Sequence, residues 1–259
     1  MPFADIAGLR VNYDLSGAPK APVVVLSNSL GTHFGMWDLQ RPALEAKFRL
    51  LRYDTRGQGR TSVTPGPYTI EILGRDVLGL LDHLKIDRVH FCGLSMGGMI
   101  GIWLGLNAPE RLGKLVLCNT APKIGTAEAW DTRIENIRKG GMRSIAPAII
   151  ERWLTPEFLG RSPEMSACAL RMLECAPADG YIACCEAVRD YDARESVASI
   201  RVPVMVIGGA KDRATPPSDT RALAEKIPGA RYVELEASHL SNIEAPERFT
   251  NELTGFLSS

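Results

Sequence analysis

The chain has 259 residues, enough for one domain with a large core and an inserted lobe. Thirty basic residues balance thirty acidic ones, and 45% of the chain is apolar. That balance argues against nucleic acid or a membrane surface as a partner, so a small charged ligand would need a local cation.

The amino terminus, MPFADIAGLRVNY, lacks the basic stretch and apolar core of a signal peptide. No apolar run approaches the roughly 18 residues of a membrane span. A cytoplasmic protein is therefore expected, with its cysteines reduced. Cys92, Cys118, Cys168, Cys175, Cys184 and Cys185 show no CxxC and no metal-ligand spacing with histidine, so they imply no metal site. Cys92 and Cys118 read as small buried apolar residues, and the Cys184-Cys185 pair reads as helix packing.

Along the chain, ADIAGLRVNYDLSG reads as a pair of strands ending at Gly17. VVVLSN from Val23 and RLLRYD from Arg49 are continuous apolar runs of the kind that fill a parallel sheet. Leu73, Val77, Leu80, Leu81 and Leu84 then recur at helical spacing. VHFCG from Val89 is a strand, followed by a helix from Met96 to about Leu106. LVLCN at Leu115 is the next strand. From Pro122 to Ser199 no strand pattern occurs. Helices are expected there around Trp130 to Lys139, Ile145 to Leu154, Met165 to Cys175 and Tyr181 to Tyr191. VPVMVIGG at Val202 and RYVELE at Arg231 are the last strands, separated by a helix from Ser218 to Ile227. A terminal helix carries Phe249, Leu253, Phe256 and Leu257 on one face.

Alternating strands and helices mean a mostly parallel sheet flanked by helices. The expected organisation is a core over 1–121, a helical cap over 122–199 and the rest of the core over 200–259. Caps in such positions tend to line ligand pockets.

Chemistry concentrates at Gly93-Leu94-Ser95-Met96-Gly97, between the VHFC strand and a helix. This G-x-S-x-G pattern is a nucleophile elbow, in which a strained turn projects the serine hydroxyl into a cleft. The helix after it opens with amides that have no intrahelical partner and face incoming negative charge. Ser95 needs a base, and the histidines differ in position. His90 lies within the strand leading to the elbow, and His83 lies in a helix. His33 follows the VVVLSN strand, near the expected site but out of order. His239, after the last strand, fits the order nucleophile, acid, base. The orienting acid is Asp212, just past the VMVIGG strand, with Asp219 the weaker candidate. The Leu30 amide, in the loop SNSLGT, joins that of Met96 as the expected oxyanion hole.

Several stretches resemble the 3-oxoadipate enol-lactonases, a group of α/β-hydrolases. They are SNSLGT with MWD at Met36, RYDTRGQGRTS, GLSMGG, APERLGKLVLCNTAPKIG, GYIACCEAVRD and ARYVELEASHLSNIEAPERF. They span body and cap. GLSMGG is shared by many esterases, peroxidase-like hydrolases and C–C hydrolases, whereas NTAPKIG and GYIACCEAVRD are more specific. RGQGRTS carries Gln58 where many relatives have histidine.

The resemblance implies an α/β-hydrolase fold with an inserted cap, and ring opening of 3-oxoadipate enol-lactone in aromatic-acid (protocatechuate and catechol) catabolism. It implies a Ser95–His239–Asp212 triad, an acyl-enzyme and no metal or organic cofactor. The partner is a small anionic lactone, whose carboxylate needs a cation. In AWDTRIENIRK, Trp130 and Arg133 share a helical face, and a guanidinium suits a carboxylate. Arg133 is the expected anchor, with Trp130 and Trp153 as pocket walls. A solvated Arg133 on an amphipathic helix is the alternative. Two other functions stay open at this point: a carboxylesterase or C–C hydrolase of the same fold, and a non-catalytic receptor. Nothing in the sequence commits the chain to an oligomeric state.

Overall fold

The computed structural model describes residues 2–259. Its centre is an eight-stranded sheet. In chain order the strands are β1 (Phe3–Ile6), β2 (Leu9–Ser16), β3 (Val23–Ser27), β4 (Arg49–Tyr53), β5 (Val89–Leu94), β6 (Leu112–Cys118), β7 (Val204–Gly209) and β8 (Arg231–Leu235). Spatially they run β1-β2-β4-β3-β5-β6-β7-β8. The β1–β2 and β2–β4 pairs are antiparallel, and every later pair is parallel.

The apolar runs explain this layout. Val24, Leu26, Phe91, Cys92, Val116, Leu117, Val206 and Ile207 are buried, as strands covered on both faces must be. The covering helices are α1 (Arg41–Glu45), α2 (Ile70–His83), α3 (Met96–Asn107), α9 (Pro217–Lys226), α10 (Ser241–Glu244) and α11 (Pro246–Ser258). The α2 stripe Leu73, Val77, Leu80 and Leu81 is buried as its spacing predicts. α3 is apolar on nearly all sides and is buried accordingly, between α2 and strands β3, β5 and β6.

Between β6 and β7 lie α4 (Ala127–Gly140), α5 (Ala146–Trp153), α6 (Pro156–Arg161), α7 (Pro163–Glu174) and α8 (Ala178–Asp190). α4 packs on α8, and α5 on α7. The two ends of this excursion meet: the Ala193 N–H donates to the Pro122 carbonyl at 2.9 Å. Lys123 Nζ adds a hydrogen bond to the Arg189 carbonyl at 2.5 Å.

Three short helices, α1, α6 and α10, have no counterpart in the periodicity analysis. α6 does carry a start signal, because the Thr155 hydroxyl caps the Phe158 amide at 3.2 Å and Pro156 occupies the first turn. The burial of Cys184 and Cys185 on α8 agrees with their reading as packing residues.

Candidate active site

Ser95 sits between β5 and α3 with φ 58° and ψ −116°, a backbone conformation that side-chain-bearing residues rarely adopt. Its surroundings hold it there. The Ser95 N–H donates to the Cys118 carbonyl at 2.8 Å, and Thr120 Oγ1 donates to the Ser95 carbonyl at 2.7 Å. The flanking glycines are required by contact. A Cβ on Gly93 would lie 2.0 Å from the Gly97 carbonyl oxygen, and one on Gly97 would lie 2.3 Å from that of Ser27.

Asp212 follows β7, and His239 follows β8. Both are buried. Asp212 Oδ2 lies 2.9 Å from His239 Nδ1. The same carboxylate accepts from Asn119 Nδ2 at 3.0 Å, Thr215 Oγ1 at 2.7 Å, and the Ala214 and Thr215 amides at 2.7 and 3.0 Å. Burial alone would push the Asp212 pKa up. The charge of His239 and the hydrogen bonds from His239 and Thr215 outweigh it, and the carboxyl stays below its ordinary value. Nδ1 is thus committed to Asp212, and Nε2 is the free nitrogen of the imidazole. Ser95 and His239 line the same cavity. Ser95 Oγ makes no hydrogen bond to His239 in this structure.

Asn119, the last residue of the LVLCN run, was not singled out by sequence. Besides Asp212 it bonds the Ser238 carbonyl at 3.2 Å, and its Oδ1 accepts from Ser241 Oγ at 2.6 Å. It therefore ties the acid to the histidine segment. Asp219 lies on α9 and lines a different cleft.

The loop after β3 is fixed on several sides. Asn28 Nδ2 donates to the Tyr53 carbonyl at 2.7 Å, and Asn28 Oδ1 accepts from Trp37 Nε1 at 2.9 Å. The Gly97 amide donates to the Asn28 carbonyl at 3.1 Å, which joins this loop to the elbow. Gln58 Oε1 accepts from the Gly31 amide at 3.0 Å. Gln58 thus holds the residue next to Leu30. Among the described residues, neither the Leu30 nor the Met96 amide has a hydrogen-bond acceptor. Unsatisfied amides of this kind can receive an oxyanion.

His33 does not reach the cavity. Its Nδ1 accepts from the Gly35 amide at 3.0 Å, capping a short 3₁₀ turn, and it borders clefts lined by Met172 and Cys175 instead.

Helices between β6 and β7 line the rest of the cavity. Trp130 and Arg133 come from α4, Arg152 and Trp153 from the end of α5, and Tyr181 from α8. The Arg133 guanidinium stacks on the Trp130 ring, 4.5 Å from its centroid, and Trp130 Nε1 is anchored on the Ile124 carbonyl at 2.7 Å. Arg152 is the cation that sequence reasoning missed. Burial, then the charge of Arg133, holds its pKa below the ordinary arginine value. Among the described residues, no carboxylate lies within 4.0 Å of the basic nitrogens of Arg133 or Arg152. Two half-enclosed, mutually repelling guanidinium groups have the charge and geometry that suit an anion.

Comparison with known proteins places this geometry in context. The model of the alpha/beta hydrolase family matches residues 23–252. 3-Oxoadipate enol-lactonase 2 of Acinetobacter baylyi is 43% identical over 94% of this chain and 91% of its own length. 3-Oxoadipate enol-lactonase 1 of the same organism is 37% identical, covering 97% and 94%. The crystal structure of the enol-lactonase from Burkholderia xenovorans superposes over 100% of both chains with a TM-score of 0.98 at 45% identity.

Proposed function

The chain belongs to the alpha/beta hydrolase family, and on that premise we propose that it is a 3-oxoadipate enol-lactonase using Ser95 as nucleophile. One observation carries the reading. A single cavity holds the elbow serine, the Asp212-bound imidazole and two arginines without carboxylate partners. A neutral ester needs no such pair of cations. A lactone bearing a free carboxylate does.

The chemistry follows from the geometry. Asp212 accepts the Nδ1 proton of His239, which leaves Nε2 to take the Ser95 proton. The Ser95–His239 hydrogen bond forms in the substrate complex, where such contacts tighten. Ser95 Oγ attacks the lactone carbonyl, and the oxyanion is received by the Leu30 and Met96 amides. Collapse breaks the ring C–O bond and expels an enolate. The imidazolium returns its proton to that group, which tautomerises to the ketone. Water, deprotonated by His239, then hydrolyses the acyl-enzyme and releases a dicarboxylate. The same reading makes Arg133 and Arg152 the carboxylate anchor, Trp130 and Trp153 the walls, residues 122–199 a substrate-selecting cap, and the cytoplasm the place of action.

The test follows ultraviolet loss of the enol-lactone with the wild type and Ser95→Ala. The variant is expected to lose about 10⁴–10⁶ in kcat, as when a triad member is deleted. Wild-type turnover of neutral aryl esters far above that of the enol-lactone would overturn the assignment of substrate.

A further inference from the structure

Glu244, at the end of α10, is a buried carboxylate with no part in the mechanism above. Its two oxygens serve two different segments. Oε2 accepts from the Ser238 amide at 2.8 Å, directly before His239. Oε1 accepts from the Thr155 hydroxyl, which belongs to the cap just after Trp153. Two further bonds run in parallel. Ser238 Oγ donates to the Arg152 carbonyl at 3.0 Å, and the Leu240 amide donates to the Trp153 carbonyl at 3.0 Å. The residues flanking His239 on either side therefore hold the backbone of Arg152 and Trp153, two of the cap residues that line the cavity. Glu244 spans the same junction from behind. Glu244 thereby joins the base of the reaction to the substrate-facing strip of the cap, through the residue that also caps α6.

We infer that Glu244 is a positioning residue that keeps the cap strip 152–155 in register with His239, so that the anion-binding arginine and the imidazole act on one substrate at a fixed separation. The inference rests on the proposed reading of the site. Loss of the Thr155 arm loosens the cap strip, which the bonds to the Arg152 and Trp153 carbonyls still tether. Loss of both also frees the imidazole segment, because the Ser238 amide would be buried without an acceptor.

Three variants separate these effects. Thr155→Val removes the cap arm, together with the α6 cap on the Phe158 amide, and leaves the Ser238 arm in place. It is expected to raise KM for the enol-lactone about tenfold with kcat within about twofold, and to leave KM for a neutral aryl ester unchanged. Glu244→Ala removes both arms, and kcat is expected to fall about 30-fold or more on both substrates, with the tenfold rise in lactone KM retained. Glu244→Gln keeps the outline, accepting from Ser238 through its oxygen and donating to Thr155 through its nitrogen, and is expected to restore most of both losses. Circular dichroism and Tm confirm that each variant is folded. If Glu244→Ala does not fold, the Thr155→Val split and the Gln variant decide the matter. Equal losses on lactone and ester in Thr155→Val, or failure of Gln to restore activity in a folded protein, overturn the inference. Failure of the function reading is seen separately, as a wild type that turns over the ester and not the lactone.

Discussion

At the scale of single residues, the arginines of the cavity carry the most specific consequence. Desolvating a guanidinium is costly unless an anion compensates, and Arg152 already sits below its ordinary pKa. A bound carboxylate removes that penalty. Arg152→Ala and Arg133→Ala should therefore each raise KM for the anionic lactone about 10- to 100-fold and leave neutral aryl esters within about threefold. Steady-state kinetics on the two substrates measure it, and equal changes on both would remove that arginine from the anchor. Residue-scale legibility was uneven for physical reasons. Ser95, Asp212 and His239 stand at strand ends in a recognisable order, and Arg133, Trp130 and Trp153 lie on helix faces that turned out to line the cavity. Arg152 escaped notice because, among Ile149, Ile150 and Trp153, a charged residue in an amphipathic helix reads as solvent-facing. Asn119 and Glu244 act through partners 93 and 89 positions away, and spacing carries no record of such contacts.

At the scale of elements, the elbow is the least tolerant part of the fold. β3 and α3 approach so closely that the Gly97 position lies against the Ser27 backbone. Gly97→Ala would force backbone apart there, with no flexible side chain to yield. It should lower stability by roughly 3 kcal/mol or more and abolish turnover, seen as a lowered denaturation midpoint and lost lactone hydrolysis. The regular elements were legible because buried parallel strands are continuous apolar runs and α2 repeats at helical spacing. The short helices α1, α6 and α10 were not, since four to six residues span too few turns to show a period. Only caps announce helices of that length, as Thr155-Pro156 does.

At the scale of the whole molecule, the thiols report on the integrity of the core. Cys168 and Cys175 are exposed, whereas Cys92, Cys118, Cys184 and Cys185 are buried. Burial pushes the Cys185 thiol from its ordinary 9.0 up to about 12, and Cys118 and Cys184 move the same way. The folded protein thus binds these protons more tightly than the unfolded chain. Their contribution to stability is complete below pH 9.0 and declines as the pH rises from there towards 12. A thiol reagent at neutral pH should modify two cysteines rapidly and the other four only on unfolding, and Tm should fall steadily above about pH 9. Rapid labelling of more than two would contradict the burial described. The bond between Pro122 and Ala193 has a wider meaning. A lobe that departs from and rejoins the sheet at one doorway can be exchanged, lengthened or reshaped without rethreading the frame beneath it. The bond-breaking apparatus and the choice of what enters it can then change on separate evolutionary clocks, tied together where the lid touches the histidine segment and where α8 rests on the loop at Arg56 and Gln58.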